Sequence, residues 1–208
     1  MIPEDRLTTL GLLWAAWEHQ GRGLSADQWQ RPTRLGDWTV RMLYAHAASW
    51  PVGFAHLVGQ VRQVTPTHAS AAELLGEFNR PGGIATSQAD RVAAAARQEA
   101  AAYTPAQLME PFSETGPNAI ATARRLGPVV VDYFGRAMLA LAEAVSIGIL
   151  EATVHLLDLQ RALEVVPPDV PGAGLEHTVG LLAAMTPPVD FIELATGRSE
   201  VGLFPVLR

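Results

Sequence analysis

The sequence predicts an all-α protein: a four-helix bundle with short extra helices and a C-terminal tail. Three observations predict it. Apolar residues recur at intervals of three and four over several long stretches. Gly and Pro punctuate those stretches where helices would start and stop. Strand signals reduce to Val129–Val131 and Leu203–Leu207, each beside a proline. The chain shows no internal repeat that would suggest a solenoid or propeller.

The first helix is expected from Pro3 to His19. Pro3 suits a first turn, Glu4 and Asp5 favour the positive helix end, and Gly21-Arg-Gly stops it. Leu7, Leu10, Trp14 and Trp17 form its apolar stripe. Residues 21–37, with Pro32 and Gly36, read as a loop. A second helix begins near Asp37 or Thr39 and carries Val40, Leu43, Ala47 and Trp50; Pro51 should kink it, with the pattern resuming at Phe54. A short helix is expected around Ser70–Phe78 and a long alanine-rich one over Ser87–Tyr103. Pro105–Pro111 reads as one turn, and Gly116-Pro117 and Gly127-Pro128 bracket a loop or short helix. The last long helix is expected over Arg136–Glu164, with shorter ones at Leu175–Met185 and Pro188–Ala195.

The 208 residues fit one domain over 1–208. Hydrophobic residues make up 49% and charged residues 17%, which excludes disorder. The net charge is −6, and every basic residue is Arg; the sequence has no Lys. No basic block stands out, so neither nucleic acid nor an anionic membrane is an expected partner. With no Cys, the chain supplies neither a disulfide nor a thiolate of its own. Glu4 and Asp5 are the wrong sign for a secretory leader. The most apolar long window, Pro128–Leu150, holds Asp132, Arg136 and Glu143. At roughly 2.5–3.5 kcal/mol per central charge it makes a poor membrane span. The cytoplasm is the expected location, and a homodimer is left open.

Chemistry-bearing residues concentrate on the last long helix. Glu151, His155 and Asp158 lie at i, i+4 and i+7, in one stripe of a strongly apolar helix. Buried, they need partners, and a metal ion would satisfy Glu151 and His155 together. On the wet side of an amphipathic helix they need none, and both readings stand. His46, between Trp38 and Trp50, reads either as a core histidine or as a third ligand. His46, Glu151 and His155 would form a His2Glu set with an open fourth position, as catalytic zinc sites have. Zinc, nickel, iron and manganese all suit such a set. His56 is the rival third ligand and ranks lower, because it lies beyond Pro51 and off the stripe of His46. The five tryptophans read mainly as core, Arg124-Arg125 as a solvated pair and Arg198 as a helix-end cap. Arg80, beside two glycines, is a weak anion-loop signal.

Four segments resemble, in order, a known family. Gly36-Asp-Trp38-Thr-Val-Arg41 followed by Ala45-His46 resembles the Gly-Trp-Thr-Val-Arg…Ala-His signature of the mycothiol-dependent maleylpyruvate isomerase family, a group of DinB-like metal-binding helical bundles. Glu151-Ala-Thr-Val-His155-Leu-Leu-Asp158-Leu-Gln-Arg161-Ala resembles its Glu-x-x-x-His-Gly-Trp-Asp-Leu-Ala-Arg-Ala signature. Glu77-Phe-Asn79 is similar to a Phe-Asn element, and Ala195-Thr-Gly-Arg198 with Pro205-Val-Leu207 is similar to C-terminal Thr-Gly-Arg and Pro-Val-Leu elements. The resemblance implies a DinB-like four-helix bundle in which His46, Glu151 and His155 hold a divalent metal, most often zinc. Asp158 would then stand behind a ligand or act as a structural partner. Leu156 and Leu157 replace the family's Gly-Trp, and Asp37 interrupts Gly-Trp; both reshape the site mouth. With the site mouth so changed, maleylpyruvate is not carried over as substrate, and the further C-terminal domain of the longer isomerases is not expected in this chain.

The resemblance also makes mycothiol the leading thiol cosubstrate, and the Arg-only, Ala-rich composition fits a GC-rich actinobacterial source, where mycothiol is made. The expected function is a metal-dependent S-transferase or isomerase. It would activate a low-molecular-weight thiol at the metal against a small-molecule electrophile. Two alternatives remain at this stage: a hydrolase using metal-bound water, and a metal-free bundle acting as a binding module.

Overall fold

The computed structural model describes residues 3–200, 202 and 205–206. Helices dominate, as the periodicity predicts. Helix α1 (Pro3–Arg22) leads through a one-turn helix α2 (Ala26–Trp29) to α3 (Val40–Leu57). After a two-residue strand β1 (Val61–Arg62) come α4 (Ala71–Asn79), α5 (Ile84–Ser87), α6 (Ala89–Ala102) and α7 (Pro105–Glu110). A π-helical turn, Pro111–Thr115, joins α7 to α8 (Gly116–Leu126). A hairpin of β2 (Val130–Tyr133) and β3 (Ala137–Ala140) then feeds α9 (Leu141–Ala162), followed by α10 (Gly172–Ala184) and α11 (Pro188–Ala195). Helix α9 is the hub: α1, α3 and α10 all pack against it, and α6 and α8 close on α3.

Local chemistry sets the helix that matters most. Thr39 is the N-cap of α3, its hydroxyl accepting from the Met42 N–H. That cap fixes the helix start and therefore the phase of His46. The helix passes through Pro51 and ends at Leu57. Aromatic residues lock α3 and α9 to α1. The Trp17 indole N–H donates to the Ala152 carbonyl at 3.1 Å, and the Tyr44 hydroxyl donates to the Trp17 carbonyl at 3.0 Å. Trp17 also stacks on Phe112 and meets Tyr44 edge-on. Trp14, Trp17 and Trp29 are buried, whereas Trp38 and Trp50 pack half-buried against the core.

Several sequence expectations need correction. The last long helix starts at Leu141, not Arg136, because Ala137–Ala140 pairs antiparallel with Val130–Tyr133. The turn between them carries Phe134 and Gly135 at φ of 54° and 69°, and Asp132 Oδ1 accepts from the Gly135 N–H at 2.8 Å. Buried and half-buried residues alternate along both strands, so pairing overrides the helix propensity of this Ala-rich stretch. Strand β1 extends the sheet in the order β1-β2-β3 and had no readable signal at two residues. The region read as a loop over 21–37 contains α2, whose Ser25 and Gln28 form a reciprocal capping box. The alanine-rich helix begins at Ala89, two residues late. Leu203, Phe204 and Leu207, from the second expected strand, lie outside the described residues.

No single helix among the described residues is long and apolar enough to cross a membrane.

Candidate metal centre

The centre lies where α3 meets the middle of α9. His46, Glu151 and His155 each present one ligand-type atom, and these atoms all lie within 4.8 Å of one another. The two imidazoles meet edge to face with centroids 4.9 Å apart. Glu151 Oε2 is 3.5 Å from His155 Nε2, and the two side chains are 23% and 17% exposed. The stripe inferred from sequence therefore faces α3 and the core, not solvent.

Asp158 sits behind His155. It is 2% exposed, and its Oδ2 lies 3.0 Å from His155 Nδ1. Its other oxygen, Oδ1, accepts from Arg34 Nε at 2.6 Å. The carboxylate is thus saturated on both sides, which is what an anion at this depth requires. With Nδ1–H donating to Asp158, the His155 tautomer is set and Nε2 is left facing Glu151 and His46.

The loop before α3 holds this arrangement at its outer edge. The Thr33 N–H and hydroxyl both donate to the Trp38 carbonyl, and the Val40 N–H donates to the Arg31 carbonyl. The closed loop places Arg34 on Asp158 and the Trp38 ring edge-on to His46 at 5.4 Å. Asp37, the residue that departs from the resembled signature, takes a hydrogen bond from Arg97 on α6 at 2.7 Å. It therefore ties the loop to the bundle.

The electrostatics split the two histidines. Burial, together with the charge of His155, pulls the His46 imidazole down to about 4, although Glu151 opposes this. Burial lowers His155 too, but hydrogen bonds and charge from Asp158 and Glu151 outweigh it and push that imidazole up to about 9. Burial would raise Asp158, yet its bonds to His155 and Arg34 and their charges hold it below the usual carboxylate range. The cluster is built to hold positive charge at its centre, and a divalent cation would supply that charge in place of a proton. A neutral His46, an Nδ1-anchored His155 and a carboxylate are a donor set suited to zinc or a similar ion.

Other sequence candidates fall elsewhere. His56 is exposed on α3 and takes no part in the cluster. His68 pairs with Glu77, and Arg80 reaches the same Glu77 from an exposed position. Arg34 was missed by sequence reading, although it lies two residues before the Gly36-Asp-Trp segment. The only prior signal was its place in the loop that precedes the His46 helix.

The sequence model of the mycothiol maleylpyruvate isomerase N-terminal domain matches residues 10–160. The chain belongs to this family. The matched stretch runs from α1 to near the end of α9 and includes Arg34, His46, Glu151, His155 and Asp158. The helical architecture agrees with the family's DinB-like fold. No curated protein and no solved structure matches the chain.

Proposed function

We propose that this member of the mycothiol maleylpyruvate isomerase family is a metal-dependent enzyme that activates a low-molecular-weight thiol, with mycothiol as the thiol and zinc as the metal. The observation that carries the reading is the convergence of His46, Glu151 and His155 from two helices, backed by the Asp158–Arg34 pair. Metal-bound histidines usually donate their second ring N–H to a carboxylate or carbonyl, and the His155 Nδ1–H has the Asp158 carboxylate as its acceptor.

His46 offers a neutral imidazole, His155 offers Nε2, and Glu151 offers the one anionic oxygen. These residues would hold a divalent cation, and the cation would supply Lewis acidity that lowers the pKa of a thiol toward thiolate. The residues around it orient and dry the site. Asp158 fixes the His155 ring, Arg34 fixes Asp158, and the Trp38 ring covers one edge of His46. A thiolate would be the nucleophile toward a small electrophile: a leaving group departs in S-transfer, and in isomerisation the thiolate adds to a double bond and is itself expelled after rotation. No Cys in the chain competes for the metal or the electrophile.

The test is turnover of thiol-reactive electrophiles by the zinc-loaded protein with and without mycothiol. Consumption that requires both zinc and thiol supports the reading. Consumption that requires zinc but proceeds without thiol replaces it with hydrolysis by metal-bound water.

A further inference from the structure

A second cleft, of ≈ 390 Å³, opens where α1, α4, α9 and α10 meet. Arg6, Glu143, Glu176 and His177 wall it, with Leu181 and Ala184 on its apolar side. The volume falls in the range of about 300–1,000 Å³ typical of small-molecule sites. His46, Glu151 and His155 are not among its walls.

Most of its polar wall groups are satisfied by protein. Glu143 Oε1 accepts from Arg6 Nη1, which also donates to the Ala142 carbonyl, and Glu143 Oε2 accepts from the Ala71 N–H. The Ser146 hydroxyl donates to the Ala142 carbonyl, and the Ser70 hydroxyl accepts from the Glu73 N–H. Two wall groups are left over. Arg6 Nε and His177 Nε2 are buried and have no hydrogen-bond partner among the described residues. Such groups are uncommon and call for a specific partner. The two side chains are close enough to feel each other: burial and the charge of Arg6 pull the His177 imidazole below its ordinary range, against Glu143. The ring is therefore neutral at physiological pH and can present Nε2 as an acceptor, whereas Arg6 Nε–H is a donor only.

The charges on the walls decide what would bridge these two nitrogens. Arg6 is already neutralised by Glu143. A carboxylate entering the cleft would meet Glu143 and Glu176, and an ammonium would meet the Arg6 guanidinium. An uncharged group avoids both penalties. It must accept at Arg6 and donate at His177 from two different atoms, which a carboxamide does and an ester or ether does not. We propose that this cleft is a second ligand site, separate from the metal centre, for a small uncharged molecule with a carboxamide group. The amide oxygen accepts from Arg6 Nε–H, the amide N–H donates to His177 Nε2, and the apolar end of the molecule lies toward Leu181 and Ala184.

The test uses three probes of similar shape, valeramide, valerate and pentylamine, against protein labelled with nitrogen-15 in its histidine rings. The His177 signals are assigned by their absence in His177→Leu. Valeramide should shift them saturably, with a Kd of about 1 mM for a ligand of this size. Valerate and pentylamine should bind about tenfold more weakly or worse, and valeramide should leave the His46 and His155 signals in place. In His177→Leu, saturation transfer from protein to valeramide should fall at least about fivefold. This variant is preferred to one at Arg6, whose loss also unties α1 from α9. His177 signals that stay put at saturating valeramide overturn the inference and leave the cleft to water. Equal binding of all three probes overturns it too, as does undiminished saturation transfer in a folded His177→Leu variant. None of these outcomes depends on the metal centre, so the functional reading stands or falls separately.

Discussion

Helix α9 carries two polar clusters, and they treat their carboxylates differently. In its first turn, Glu143 Oε1 accepts from Arg6 at 2.5 Å and Oε2 accepts from the Ala71 N–H at 2.8 Å. Arg6 also donates to the Ala142 carbonyl at 2.9 Å. Both carboxylate oxygens are thus occupied by protein, and the cluster ties α1 and α4 to α9. About 12 Å further along, eight residues at the helical rise, Glu151 faces the imidazoles of His46 and His155. Asp158 there is closed off by His155 and Arg34, but Glu151, His155 Nε2 and the His46 ring point at one another. The Glu143 carboxylate finishes its hydrogen bonds inside the protein, although the buried Arg6 Nε beside it has no partner among the described residues. Polar groups buried for binding leave one position that only a ligand completes.

The largest expected effect that tests this contrast is on zinc affinity. Replacing His155 with Ala removes one of three protein ligands. By an equal division of the binding energy of structural zinc sites, the loss is about 3–5 kcal/mol, roughly a few hundredfold to several thousandfold. Zinc competition with a chromophoric chelator measures it, and an affinity within tenfold of wild type would break the assignment. Asp158→Asn should cost 10–100-fold in zinc affinity or thiol-dependent turnover, about 1.4–2.7 kcal/mol, while the fold survives. Unchanged values would make Asp158 a partner of Arg34 and nothing more.

Glu143→Gln sharpens the contrast from the other side. It should leave zinc affinity unchanged and destabilise the protein by about 1–3 kcal/mol, read by urea unfolding at neutral pH. Burial would raise the Glu143 carboxyl, but the bonds from Arg6 and Ala71 and the charges of Arg6 and His177 outweigh it and hold it low. A carboxylate whose folded pKa is depressed contributes stability above its unfolded pKa and loses it as pH falls through the folded one. The stability gap between wild type and Glu143→Gln should therefore narrow below about pH 4.5. A gap that widens in acid would contradict the sign. The smallest effect belongs to Arg34→Ala. The Arg34 side chain is 56% exposed, so losing its pair with Asp158 should cost no more than about 1 kcal/mol, a fivefold change in zinc affinity at most.

The two regions also differ in how far sequence could reach them. Glu151, His155 and Asp158 share a stripe at i, i+4 and i+7, so helical spacing alone groups them. Spacing could not say whether that stripe was wet, because the answer lies in α3 and the 31–38 loop, elements far away in sequence. His46 enters as a candidate third ligand between two tryptophans, and the family resemblance then supports it. Arg34 stayed hidden for a different reason. Arg34 acts from a loop whose shape depends on Thr33 and Arg31 closing onto Trp38 and Val40. The hairpin stayed hidden because one of its strands, Ala137–Ala140, reads as helix by composition. The Arg6–Glu143 pair was equally out of reach, since nothing local links the first helix to the first turn of α9.

The central claim is that His46, Glu151 and His155 hold a metal whose open position takes a thiol. X-ray absorption at the zinc edge, on reconstituted protein before and after mycothiol, tests it most directly. The account predicts two imidazole nitrogens and oxygen ligands before thiol, and one sulfur at about 2.3 Å after it. A zinc shell without two imidazoles, or one that stays free of sulfur at saturating thiol, would contradict it.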